Sequence, residues 1–257
     1  MNEPGDIQAF IIHLARAEAR RPQVERIRAA CPLPVEVIEA VDGRALSEAD
    51  IDAARSRRSL HAPAYPFEMT VGEIGCFLSH RKAWRMIVDR GLSAGLVIED
   101  DVEIDPEVFS RALRLSAEII DRAGYIQFQV RSVKGRAETL ASRNGASIVR
   151  PRVGMLRTSG QLVSAAHARH LLEITERFDR PVDTLLQMNW VTGVPLSCAV
   201  PSGLSDRTEE AGGSTISLKS QKALSQKLSR EIRRFLYRSR IRARSTTTPV
   251  VPVGGER

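Results

Sequence analysis

Cysteine is scarce in this 257-residue chain: Cys31, Cys76 and Cys198 are odd in number, far apart and without metal-type spacing. That excludes a disulfide framework or a zinc motif and suits free thiols in a reducing compartment. Long apolar runs are missing too, none approaching the roughly 20 residues that span a bilayer. The start, MNEPGDIQAFIIHLARAEARR, lacks the basic n-region and small-residue cleavage site of a secretory leader, so the expected location is cytoplasmic. No internal repeat is present. There is also no H-x-D or D-x-H pairing of the kind a metal-dependent phosphoesterase would use.

What is present is ordinary in bulk, 42% hydrophobic and 27% charged, and fits a globular protein of one generous domain with an appendage. The formal charge of +7 is unevenly placed. From residue 216 onwards there are 11 Lys+Arg against 2 Asp+Glu, which leaves 27 against 29 in residues 1–215. A nearly neutral body argues against a nucleic-acid-binding domain, whose basic charge would cover a folded face. The basic stretch 218–244 places Leu218, Leu224, Leu228, Ile232 and Phe235 on one helical face among Lys and Arg. It could meet an anionic membrane surface at the inner membrane face, or pack on the body with its basic side in water. Residues 245–257 are expected to be disordered.

Along the body, strands and helices alternate. IQAFIIHL (7–14) is an apolar strand, ARAEARRPQVERIRAA a helix with Pro22 early, and VEVIEAVDG (35–43) a strand closing in an Asp-Gly turn. The clearest helix is TVGEIGCFLSHRKAWRMIVDRG (70–91), with Thr70 and Glu73 at capping-box spacing and Gly91 as the stop. The strand AGLVIED follows, then a helix over 107–122, the strand YIQFQV, a loop carrying Lys134 and Arg136, a strand–helix pair over 158–178, and a helix opening at RPVD. This order predicts an α/β fold with a mostly parallel central sheet flanked by helices. In such sheets ligands sit at the carboxyl ends of the strands.

One strand end is unusual. LVIEDDVEID (96–105) runs from apolar chain into three consecutive acids. Alternate residues of an extended segment share a face, so Glu99 and Asp101 point one way and Asp100 the other. Two hard carboxylates on one side could share Mg²⁺ or Mn²⁺, which would relieve their repulsion; a solvated acidic turn is the other reading.

The ordered set FIIHLARAEARR, EAVDG, EIGCFLSHRKAWRMIVDRG and GLVIEDDVEI resembles glycosyltransferase family 25, which includes lipooligosaccharide and collagen galactosyltransferases. SGQLVSAAHARHLL, RPVD and PSGLSDRTEEAGGSTI look like weaker versions of the family's later blocks, so the resemblance covers roughly residues 7–217. It implies a GT-A type, Rossmann-like fold for residues 1–217, a nucleotide-sugar donor (UDP-hexose, galactose favoured), Mn²⁺ or Mg²⁺, inverting transfer, and a glycan or lipid-linked saccharide acceptor in cell-surface polysaccharide synthesis. By that resemblance Glu99 and Asp101 are the metal ligands, unless Glu99 instead orients ribose or the metal's waters, and Asp100 either touches ribose or is solvated. Arg16 and Arg20 would reach the diphosphate or nucleotide, or be surface charge. Asp42 would hold base or ribose, or make an Asx turn with Gly43. Glu73 would contact the donor or only cap its helix, and His80 would face substrate or be a core histidine. Asp183 is the first choice for the catalytic base, unless it merely favours a helix N-terminus; Asp206 is its rival. The family shows Asn where this chain has His13, so no nucleotide contact carries over there. The alternatives are a non-catalytic glycan- or nucleotide-binding relative and a metal-dependent phosphoesterase.

Overall fold

The computed structural model describes residues 7–193, 195–207 and 224–247. In chain order its elements are β1 (Ile7–His13), α1 (Arg21–Ala30), β2 (Val35–Glu39), α2 (Glu48–Ala54), α3 (Val71–Asp89), β3 (Ala94–Glu99), β4 (Val102–Ile104), α4 (Pro106–Ala123) and β5 (Tyr125–Phe128). There follow β6 (Ala137–Arg143), β7 (Ala146–Pro151), β8 (Gly160–Ser164), α5 (Ala165–Ile174), α6 (Val182–Leu186), α7 (Asn189–Thr192), β9 (Ser197–Val200), β10 (Leu204–Asp206) and α8 (Leu224–Thr247). Among the described residues, eight strands form one sheet in the order β2-β1-β3-β8-β5-β9-β7-β6, and β4 pairs with β10 in a separate ribbon.

Six of the eight strands run the same way; β8 and β7 are reversed. The mostly parallel α/β sheet expected from the order of elements is therefore present. Its inner strands are apolar on both faces because both are covered. Ala9, Ile11, Leu96 and Ile98 face α1 and α4, whereas Phe10, Ile12 and Val97 face α3 and α5. Phe77 of α3 stacks on Phe178 at 3.9 Å between ring centroids.

The region between β5 and β8 differs from expectation. Residues 137–151, read as part of a loop, form the β6–β7 hairpin, turned by Asn144 and Gly145 at φ 50° and 76°. Both values are positive, the requirement of a tight I′-type turn, and Asn-Gly is the dipeptide that meets it most readily.

Helix α3 begins where the capping spacing placed it. The Thr70 side chain accepts from the Glu73 N–H, and the Glu73 carboxylate accepts from the Thr70 N–H at 2.7 Å. Its second turn lies directly on the loop after β2. A Cβ on Gly75 would stand 2.5 Å from the Val41 carbonyl oxygen and 2.7 Å from the Gly43 nitrogen, and one on Gly43 would stand 1.8 Å from the Val71 oxygen. Two bare backbones touch here, and Ser79 fixes the contact by accepting from the Val41 N–H at 2.8 Å while donating to the Gly75 carbonyl.

Helix α8 docks through Tyr237 and Ile241 beside Met188, Tyr65 and Trp190. The buried Arg180 guanidinium anchors it: Asp179 accepts two of its hydrogen bonds, at 2.7 and 2.9 Å, and the Tyr237 hydroxyl and the His61 and Pro63 carbonyls accept others. Of the apolar stripe read from the sequence, Ile232 and Phe235 do not pack on the body but are exposed, together with Leu236. Residues 245–247, expected to be disordered, continue the helix; Leu218 and residues 248–257 lie outside the described residues, as do the side chains of Leu224 and Leu228. No helix among the described residues is long and apolar enough to cross a membrane.

Two outcomes follow from this packing. Gly75→Ala should cost about 1–3 kcal/mol in denaturant unfolding, because its neighbours are backbone that cannot rotate away. His167, buried on α5 with Nδ1 on the Ser164 hydroxyl, is kept neutral: burial, then the charge of His170, pushes its imidazole down to about 4. The unfolded chain takes up that proton near pH 6.5, so stability should be full above this value and fall as pH drops towards 4, by up to about 3 kcal/mol. A His167→Gln variant should show a flatter pH profile of melting temperature over that range.

Candidate active site

The acids at the end of β3 divide into two groups. Asp100 turns into the protein, where it is 5% exposed; its Oδ1 accepts from Arg20 Nη1 at 2.5 Å and its Oδ2 from His13 Nδ1 at 2.7 Å. Arg20 and His13 are buried as well, and Arg20 also lies 3.9 Å from Asp101. Glu99 and Asp101 face the opposite way, into a cleft of about 410 Å³. Both also border a smaller cavity of about 100 Å³ on the β1–β2 side, shared with Arg16, Asp42, Gly43 and Asp100. The two carboxylates thus stand on the ridge between two hollows.

Glu99 is fixed from both sides. Its Oε1 accepts from the Thr158 hydroxyl at 2.6 Å and from His80 Nε2 at 3.0 Å. The Gln161 amide donates to His80 Nδ1 at 2.9 Å, which leaves the His80 proton on Nε2, aimed at Glu99. Burial pushes the Glu99 carboxyl up, but the hydrogen bonds from His80 and Thr158 and the charge of Arg20 outweigh it and hold the group below the usual carboxylate range. Glu99 is therefore an anion in a sheltered place. Cys76 lies close by, its sulfur within 4.8 Å of the His80 and Glu99 ligand atoms. Burial, followed by the surrounding carboxylates, pushes its thiol well up, so it stays protonated. The oxygen donors of Glu99 and Asp101 suit a hard divalent cation.

The far side of the cleft carries Asp183, in the first turn of α6. Its Oδ2 accepts from the Arg157 main-chain N–H and its Oδ1 from the Thr184 hydroxyl, both at 3.1 Å. Arg157 has φ 77°, a left-handed conformation that costs a side-chain-bearing residue on the order of 1 kcal/mol. Its guanidinium pairs with Asp206 of β10, and the Arg207 N–H donates to the Asp101 carbonyl at 2.8 Å. The ribbon thus returns Asp206 to the edge of the acidic strand end.

The remaining sequence candidates lie around these two hollows. Arg16 Nε donates to Asp42 Oδ2 at 2.6 Å, holding that carboxyl low, and Asp42 Oδ1 accepts from the Arg44 N–H in a local turn. Glu73, while closing its capping box, borders the larger cleft. The structure brings Glu73, Glu99, Asp101 and Asp183 to one cleft, and Arg16, Arg20, Asp42, His80 and Asp100 to the other. Sequence reasoning named neither Thr158 nor Gln161, though both lie in or beside the SGQLVSAAHARHLL block. It also missed Arg157, and Arg234, Tyr237 and Arg238 of α8, which close the larger cleft.

A family model, "Glycosyltransferase family 25 (LPS biosynthesis protein)", matches residues 6–186. The chain belongs to glycosyltransferase family 25. It is 39% identical over 121 residues to procollagen galactosyltransferase 2 of Mus musculus, covering 45% of this chain and 19% of that protein. A glycosyltransferase 25 family member of Drosophila melanogaster is 31% identical over 184 residues, 70% of this chain and 29% of that one. The inactive glycosyltransferase 25 family member 3 of Mus musculus is also similar, 31% identical over 122 residues. The chain thus spans under a third of the length of these curated relatives. A solved glycosyltransferase involved in glycosylation of the major capsid of PBCV-1 overlaps 66% of this chain and 63% of its own at 13% identity, with a TM-score of 0.29, too loose a likeness to build on.

The buried cluster makes a stability prediction. Asp100→Leu leaves the Arg20 guanidinium buried without its main partner and should cost about 3–5 kcal/mol. Adding Arg20→Met to that variant should recover most of the loss in urea unfolding, because no buried guanidinium is then left without its carboxylate.

Proposed function

We propose that residues 1–217 form the body of a metal-dependent glycosyltransferase that moves a hexose, galactose favoured, from a UDP-sugar to a saccharide acceptor with inversion. The observation that carries this reading is the division at the end of β3: Asp100 is neutralised internally, while Glu99 and Asp101 face the cleft opposite Asp183. Glu99 and Asp101 would hold Mn²⁺ or Mg²⁺. Bound there, the cation supplies charge neutralisation for the diphosphate leaving group.

The chain's own residues supply the rest. His80 and Thr158 lock the Glu99 carboxylate in one orientation and keep it ionised. The smaller cavity, with Asp42 and the close-packed Gly43, would take only the base or ribose of the nucleotide, and the hexose would project across the ridge into the larger cleft. Asp183, oriented by the Arg157 N–H and the Thr184 hydroxyl, removes the proton of the attacking acceptor hydroxyl on the face opposite the leaving group. Asp206 is held by Arg157, which makes Asp183 the better base of the two. Helix α8, with Ile232, Phe235 and Leu236 exposed between arginines, suits an anionic membrane surface where a lipid-linked saccharide in cell-surface polysaccharide synthesis would be presented.

Purified protein with Mn²⁺ should release UDP from UDP-galactose, and chelation should abolish this. Asp101→Asn and Asp183→Asn should each lower turnover at least about 100-fold with little change in melting temperature. If nucleotide binding requires Mn²⁺ and no transfer occurs across a broad donor and acceptor panel, the chain is a binding relative and not an enzyme.

A further inference from the structure

A third hollow, of about 420 Å³, opens beyond the larger cleft, between the outer ends of β6 and β7 and the segment around residues 187–196. Gln187 borders both hollows. It follows Asp183 by one helical turn, and its Nε2 donates to the Gly154 carbonyl at 2.5 Å, so the two spaces meet across a single side chain. A saccharide with one end at Asp183 would pass this side chain to enter the second space.

The walls of this space carry a distinct chemistry. Arg136, Arg150 and Arg152 line it with Glu138 as the sole acid, and Glu138 is 3.6 Å from Arg150. Arg136 and Arg152 stand side by side, joined by a backbone hydrogen bond from the Arg152 N–H to the Arg136 carbonyl. Both are exposed, and neither has an acidic partner among the described residues. Arg150 Nε and Asn189 Oδ1, on opposite walls, are buried polar atoms without a hydrogen-bond partner. Pro151, Pro195 and Leu196 give the floor an apolar character. On the other side of the carboxylate ridge, by contrast, Arg16 is already matched by Asp42 and Arg20 by Asp100.

An apolar floor under a rim of uncompensated guanidinium groups matches a sugar ring bearing an anion. Guanidinium binds phosphate or carboxylate oxygens in pairs, where a neutral sugar would leave the rim charges unanswered. We propose that this hollow is the acceptor subsite and that the acceptor is a saccharide carrying a phosphate or carboxylate group. The assignment rests on the transferase reading above for the word acceptor, while the preference for anionic saccharides rests on the cleft itself.

The test uses glucose 6-phosphate and glucuronic acid as probes, glucose as the neutral control, and the full chain as wild type and as Arg136→Gln/Arg152→Gln. Both substitutions are on exposed side chains, and melting temperature checks the fold. Calorimetric titration should show at least one anionic sugar binding tenfold or more tightly than glucose, and the double variant should lose that margin with UDP-galactose–Mn²⁺ binding unchanged. A loss confined to glucose 6-phosphate assigns a phosphate; one confined to glucuronic acid assigns a carboxylate. Equal binding of the anionic sugars by wild type and variant overturns the proposal, as does equal binding of glucose, or displacement of the anionic sugars by UDP. If UDP-galactose does not bind at all while the anionic preference stands, it is the transferase reading that fails.

Discussion

Three adjacent acids can end a buried strand because the middle one is spent inside the protein. Asp100 is held by Arg20 and His13, all three nearly sealed from water, and that pairing removes one negative charge from the strand end. Burying an ion pair is costly unless its geometry is good and its lone pairs are met, and here each Asp100 oxygen has its own donor. The pair also ties β3 to the turn before α1, so the direction in which the chain leaves the strand is fixed. β3 ends at Glu99, and with Asp100 pulled inward the turn of Asp100 and Asp101 leaves Glu99 and Asp101 bordering the larger cleft. Both hollows of the site take their position from this one choice.

The second level of organisation is the set of groups that hold Glu99. Gln161 orients His80, His80 and Thr158 orient Glu99, and each comes from a different element. Such a relay fixes a tautomer as well as a position for a histidine that sits inside an apolar helix. The Gly43–Gly75 contact has a similar purpose on the side of the smaller cavity, bringing the Asp42 loop onto α3 at a distance no side chain would permit.

Much of this was legible in the sequence. The two-sided apolar strands β1 and β3 and the capping box of α3 are local patterns with local causes. What was not legible is non-local. Arg20 meets Asp100 across 80 residues and Thr158 meets Glu99 across 59, and no spacing rule encodes such partnerships. The hairpin over 137–151 was marked by Asn144-Gly145, but its flanking strands are short on apolar alternation, since β6 is mostly exposed. In α8 the surface that packs on the body is not the apolar stripe: the helix docks through Tyr237 and Ile241, because Arg180 offers a buried hydrogen-bond donor there that periodicity does not reveal.

Helix α8 also gives the site a temporal order. The carboxylates, Asp183 and the sheet that carries them precede it in the chain, while Arg234, Tyr237 and Arg238 complete the wall of the cleft. A nascent chain emerging at about 5–20 residues per second will therefore have presented Glu99, Asp101 and Asp183 seconds before the helix that completes the cleft wall exists. During synthesis the reactive surface stays open to water, and docking of Tyr237 onto Arg180 closes it as a late step of maturation.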